Sequence, residues 1–115
     1  MAKVLELHTF ELKPGTQEKI FEEFVIRDLF PIYRKVPGQN VHLLKGDRGE
    51  RAGKYSLLVE VESVERRDQI YPPEGQDGSP EAIQDPVANA DQIWDRFFTL
   101  VDSDTSYTSY VMLSD

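Results

Sequence analysis

The amino-acid sequence predicts an α+β domain, a four-stranded antiparallel sheet with its helices on one face. Three observations predict it. Four runs rich in β-branched, leucine and aromatic residues, at 4–12, 40–45, 55–61 and 105–113, read as strands. Two stretches, from Gln17 and from Asp85, space their apolar residues three and four apart, as helices do. The elements follow one another as βαββαβ, the order of the split βαβ unit.

Each element has a local reason. In Val4 to Leu12, residues Val4, Glu6, His8, Phe10 and Leu12 alternate with Leu5, Leu7, Thr9 and Glu11, which gives strand one two faces. Lys13-Pro14-Gly15 ends it, and Thr16 is placed to cap the following helix with its hydroxyl. Ile20, Phe21, Phe24, Val25, Leu29 and Ile32 form that helix's apolar stripe. Pro31 falls inside the stripe, where it lacks a donor and crowds the preceding turn, so a kink or a second short helix is expected there.

Asn40 to Lys45 is strand two, and the polar, glycine-rich segment 46–53 is a hairpin connection to strand three, Tyr55 to Val61. Gly46-Asp47-Arg48-Gly49 lacks the Lys-Ser/Thr of a phosphate loop and opens no helix. Ser63 caps a short helix, Val64 to Ile70. Residues 72–84 are too rich in Pro, Gly, Asp and Ser for a core element and read as an irregular insertion. Asp85 as N-cap and Pro86 at the first helical position start the second long helix, with the stripe Val87, Ala90, Trp94, Phe97 and Val101. In that stripe Trp94 reads as core. Thr105 to Leu113 is the last strand. The whole of 1–115 reads as one domain, a ferredoxin-like fold.

Composition narrows the function. Thirteen Lys and Arg against 21 Asp and Glu leave a net charge of −8, the wrong balance for neutralising nucleic-acid phosphates or an anionic membrane. With no cysteine there is no disulfide, thiolate nucleophile or thiolate metal site. No apolar run resembles a signal peptide or a membrane span, so a cytoplasmic protein is expected. At 115 residues the core is adequate but not large, which favours burial of further surface in a partner.

The alternation assigns Leu5, Leu7, Val41, Leu43, Leu57, Val59 and Val61 to the helix-covered face. The opposite face then carries Val4, Glu6, His8, Phe10, Leu12, His42, Leu44, Ser56, Leu58, Glu60, Thr108 and Tyr110. This set is too apolar for water, so a homodimer joined through the open sheet face, enclosing a cavity, is expected. The segment Leu7-His8-Thr9-Phe10-Glu11-Leu12-Lys13-Pro14-Gly15, with the Phe-rich helix ending in Phe30-Pro31-Ile32-Tyr33-Arg34-Lys35, resembles the opening of the dimeric α/β-barrel superfamily. The resemblance is greatest to its NIPSNAP-like members and extends to antibiotic-biosynthesis-monooxygenase-like ones. It covers roughly residues 3–62. It implies a dimeric barrel and function classes including cofactor-independent monooxygenases, haem-degrading enzymes and isomerases.

Against that background the chemistry is read from the residues. His8 and Glu6 share a face of strand one, and Glu60 on the adjacent strand three is expected beside them, forming a carboxylate–imidazole acid/base set. Phe10, His42, Leu44, Leu58 and Tyr110 are expected to line the ligand pocket. His8 and His42 are separated by a strand, about 9.6 Å at the backbone from a strand spacing of ~4.8 Å, so no metal site is expected. Neither histidine lies on a helix, and haem is not expected either. The leading reading is a cofactor-free monooxygenase- or isomerase-like enzyme acting on a small, partly hydrophobic molecule. Its alternative is a non-catalytic ligand-binding or structural dimer.

Overall fold

A computed structural model describes residues 2–70, 89–102 and 105–114. Four strands, β1 (Val4–Thr9), β2 (Gln39–Lys45), β3 (Tyr55–Val61) and β4 (Ser106–Val111), form one antiparallel sheet in the order β2-β3-β1-β4. The helices are α1 (Glu18–Phe24), α2 (Phe30–Arg34), α3 (Val64–Ile70) and α4 (Ala90–Leu100). The fold is the expected α+β, ferredoxin-like one. The expected insertion at 72–84 and the helix start at Asp85 and Pro86 lie outside the described residues.

The first long helix adapts to Pro31 by widening. Between α1 and α2 the residues Val25–Leu29 form a π-helical turn, closed by the Phe30 N–H donating to the Val25 carbonyl, five residues back. A proline lacks the donor for the residue four before it, and its ring collides with that carbonyl. One extra residue in the turn before Pro31 relieves the collision without breaking the helix. The extra residue shifts the buried side after the turn: Phe21, Phe24, Val25 and Leu29 of the expected stripe are buried and Phe30 and Tyr33 join them, whereas Ile20 is exposed and Ile32 only partly covered. Thr16 is not the cap. Gln17 stands at that position without a side-chain bond, and the Thr16 hydroxyl donates instead to the Leu100 carbonyl at the end of α4, 3.2 Å away. Ser63 does cap α3, accepting from the Arg66 N–H at 3.0 Å.

The strand ladders settle which residues share a face. Val4 pairs with Val61, Glu6 with Val59 and His8 with Leu57 on one side of β1, and with Val111, Ser109 and Tyr107 on the other. Val41 pairs with Val59. Val59, Val61 and Val41 are buried beneath the helices, so Val4, Glu6 and His8 lie on the helix-covered face. The expected parity of strand one is thus reversed: Leu5 and Leu7 belong to the open face, with Leu58, Glu60, His42, Leu44 and Tyr110. Phe10 is the physical reason. Its ring sits edge-on between Phe21 at 5.7 Å and Phe97 at 5.4 Å, and it is 2% exposed. Burying such a ring stabilises the fold by about 1.5–3 kcal/mol, more than either leucine gains by being half buried. A shift of one residue exchanges every side chain between the faces.

The β2–β3 connection is fastened by Arg51, whose Nη2 donates to the carbonyls of Phe10 at 3.0 Å and Tyr55 at 2.7 Å. Gly46 is required there because a Cβ would stand 1.8 Å from the Arg51 carbonyl oxygen. The ends of β1 and β3, and hence the inward-facing residues beyond them, are held at a fixed separation.

Candidate functional site

Between the sheet and α2 and α4 lies a cavity of about 220 Å³ lined by His8, Phe10, Leu57, Tyr33, Trp94, Phe97, Phe98 and Thr105. Strand pairing sets its floor: His8 and Leu57 are directly opposed on the helix-covered face. The helices supply its aromatic walls. Trp94 meets Tyr33 edge-on at 5.9 Å and Phe97 at 5.7 Å, while Phe98 lies nearly parallel to Trp94 at 6.2 Å. Residues i, i+3 and i+4 of a helix share one side, so Trp94, Phe97 and Phe98 turn together toward the sheet. Phe98 remains 57% exposed, which leaves an aromatic surface at the cavity's edge.

His8 is the imidazole in this aromatic lining. Removal from water holds it below the ordinary imidazole value, with the nearby Glu6 charge pulling the other way. The ring is therefore neutral at pH 7 and has a lone pair to accept a proton. It forms no hydrogen bond among the described residues. Its face rests against Tyr107, ring centroids 5.0 Å apart.

Glu6 is 1% exposed and one strand pair away. Its Oε2 accepts from the Tyr107 hydroxyl at 2.6 Å, and its buried Oε1 has no partner among the described residues. Burial and this bond both raise the Tyr107 phenol, which stays protonated and keeps donating. Across the same ladder Ser109 opposes Glu6 and accepts from Arg67 Nη1 of α3 at 2.8 Å.

The expected site residues divide between the two faces. His8 and Phe10 line the cavity, and Glu6 lies beside His8 on the same face. Glu60 does not join them. It faces the other way, 3.5 Å from His42 Nε2 and 3.7 Å from Lys3 Nζ. His42, Leu44, Leu58 and Tyr110 share that open face and do not line the cavity. His8 and His42 are on opposite sides of the sheet, and no group of three or more acidic or imidazole side chains suited to a metal ion occurs among the described residues. Trp94, expected as core, packs against the core and also lines the cavity, whereas nothing in the sequence marks Tyr33, Phe98, Thr105 and Tyr107 for this site. The aromatic cluster Trp94, Phe97 and Phe98 is indistinguishable from core packing until the floor opposite is known.

No protein-family model and no curated protein matches the sequence. The fold does match solved structures. The At3g17210 protein of Arabidopsis thaliana superposes with a TM-score of 0.61 at 15% identity, over 97% of each chain. SnoaB of Streptomyces nogalater, a cofactor-independent oxygenase, gives 0.61 at 12% identity over 100% of this chain and 97% of its own. A dabb family protein with a ferredoxin-like fold from Mesorhizobium loti gives 0.59 at 16% identity, over 99% and 100%. At these identities the likeness is one of fold. No helix among the described residues is long and apolar enough to cross a membrane.

Proposed function

We propose that this chain is a cofactor-independent enzyme, monooxygenase- or isomerase-like, acting on a small, partly hydrophobic organic molecule held between the sheet and the helices. The observation that carries the reading is the partly buried His8 imidazole facing an aromatic cavity of about 220 Å³. Such a cavity excludes water from a flat apolar ligand and offers it one basic nitrogen. His8 takes a proton from an acidic C–H or O–H of the ligand and becomes an imidazolium, which the neighbouring Glu6 carboxylate stabilises. The imidazolium then either returns the proton to another atom of the anion, which is isomerisation, or the anion gives one electron to dioxygen, the ligand radical and superoxide so formed join in a carbon–oxygen bond, and the proton from His8 completes a hydroperoxide. SnoaB, similar in fold, is a cofactor-independent oxygenase, which supports the second course. The NIPSNAP-like character of the first half of the sequence belongs to the same reading.

The open sheet face is assigned to a second copy of the chain. Leu5, Leu7, Leu44, Leu58 and Tyr110 lie together on it, with Leu44 41% and Tyr110 50% exposed. A patch of this kind is unfavourable in water and is covered when two sheets meet face to face.

Light scattering and native mass spectrometry of freshly purified protein test both parts. The expected result is a two-chain mass, with additional small-molecule mass when the cavity retains its ligand. Once that ligand is identified, His8→Phe retains binding and dimerisation and loses turnover by roughly 10²–10⁴-fold. A monomer refutes the dimer, and unchanged turnover in His8→Phe refutes the base. Binding with no turnover by the unaltered protein marks the chain as a ligand-binding dimer instead.

A further inference from the structure

Tyr107 stands on β4 directly opposite His8 in the β1–β4 ladder, while Ser109 stands opposite Glu6. Direct partners on one face bring their side chains side by side, and the diagonal neighbour is within reach of a long aromatic residue. Tyr107 makes both contacts. Its ring lies against the imidazole at 5.0 Å with a 36° tilt, and its hydroxyl donates to Glu6 Oε2 at 2.6 Å. That distance is in the range of a charge-assisted O–H···O⁻ bond, stronger than a neutral one.

The exposures sharpen the point. Tyr107 is 55% exposed on an edge strand, yet its hydroxyl is committed to a carboxylate that is 1% exposed. Among the described residues this hydroxyl is the hydrogen-bond partner of the Glu6 carboxylate, whose second oxygen is buried without one.

We propose that Tyr107 is a positioning residue of the cavity. One side chain holds the face of His8 and the carboxylate of Glu6 together, so the imidazole offered to a ligand and the charge beside it keep a fixed relation. The groups facing this pair are Glu6 itself from β1, Leu57 from β3, Ser109 and its donor Arg67 from β4 and α3, and Tyr33 from α2 across the cavity. Of these, Glu6 is the charge acting on His8. The Tyr107 hydroxyl therefore reaches His8 electrostatically through Glu6, by taking up part of the carboxylate's field. The functional meaning rests on His8 as the proton-moving group, but the coupling itself is measurable without turnover.

The test is a double-mutant cycle read on His8. The imidazole C–H signals are titrated by NMR in the unaltered protein, Y107F, E6Q and the double variant. Y107F keeps the ring contact and removes the hydroxyl, leaving the carboxylate's field on His8 undiminished. The expected result is an upward shift of the His8 midpoint by about half a pH unit, absent when the same substitution is made together with E6Q. A shift of equal size in both backgrounds, a downward shift, or none while Glu6 is present overturns the proposal. Should E6Q fail to fold, Y107L provides the second arm. It must lose the ring-current displacement of the His8 signals that Y107F retains, and identical His8 spectra for the two variants also overturn the proposal. Failure of this cycle leaves the His8→Phe turnover result standing, and the reverse holds too.

Discussion

Phe97 is the side chain on which the cavity wall and the core depend together, and its replacement gives the most quantitative test of the structure. It is 5% exposed and touches four rings, Phe10 at 5.4 Å, Phe21 at 6.2 Å, Trp94 at 5.7 Å and Phe98 at 5.5 Å. Truncation of a buried Phe to Ala costs about 3–5 kcal/mol, from lost transfer energy and the void left behind. Edge-to-face ring pairs add about 0.5–1.5 kcal/mol each beyond the buried area. With three edge-on partners and one tilted one, Phe97→Ala falls in the upper half of that range, about 4 kcal/mol. Domains of this kind have a total stability of about 5–15 kcal/mol, so the variant keeps a folded state with about 1–11 kcal/mol remaining. Phe97→Leu, which keeps most of the volume, costs about 1.5 kcal/mol. The assay is urea unfolding at fixed protein concentration. The midpoints fall in the order unaltered, Leu, Ala, with an unchanged slope. A loss below about 1 kcal/mol for Phe97→Ala means that α4 does not pack on the sheet through this residue, and the cavity wall is then wrongly drawn.

Three more predictions bear on other parts of the molecule. Arg51→Met removes the donor shared by the Phe10 and Tyr55 carbonyls and costs about 1–3 kcal/mol in thermal or urea unfolding; retention of full stability would show that the hairpin needs no such clasp. His8 is held below its ordinary value of 6.5, so the unfolded chain takes up its proton first as pH falls. Stability contributed by the neutral ring is complete above 6.5 and lost below it until the folded ring also protonates, and His8→Phe abolishes that part of the pH dependence. Leu58→Glu puts a charge on the open face beside Glu60 and shifts light-scattering mass toward one chain while the fold, judged by circular dichroism, is kept; an unmoved dimer mass assigns the dimer to another surface.

Element type and order were legible in the sequence because they rest on local physics. The alternation in Tyr55 to Val61 gave strand three with its observed ends, and Ser63 capped its helix as expected. Helix one was visible from its stripe, and Pro31 announced an irregularity whose form, a π-helical turn, depended on keeping Phe30 and Tyr33 on the core. The site was legible in part. Alternation puts His8 and Glu6 on one face, as the structure has them, whereas Glu60, His42, Leu44, Leu58 and Tyr110, expected beside them, lie on the other.

That error has one cause. Strand one is apolar on both sides, with Val4 and Phe10 competing against Leu5 and Leu7, so its own alternation selects no face. The sequence by itself determined a βαββαβ chain, an acidic surface and an imidazole two residues from a carboxylate. Which way that imidazole looks was decided only when Phe10 locked between Phe21 and Phe97, because ring packing across three separate elements is a non-local energy. The same packing brought Tyr107 to Glu6 across 101 residues of chain, a contact no local pattern encodes.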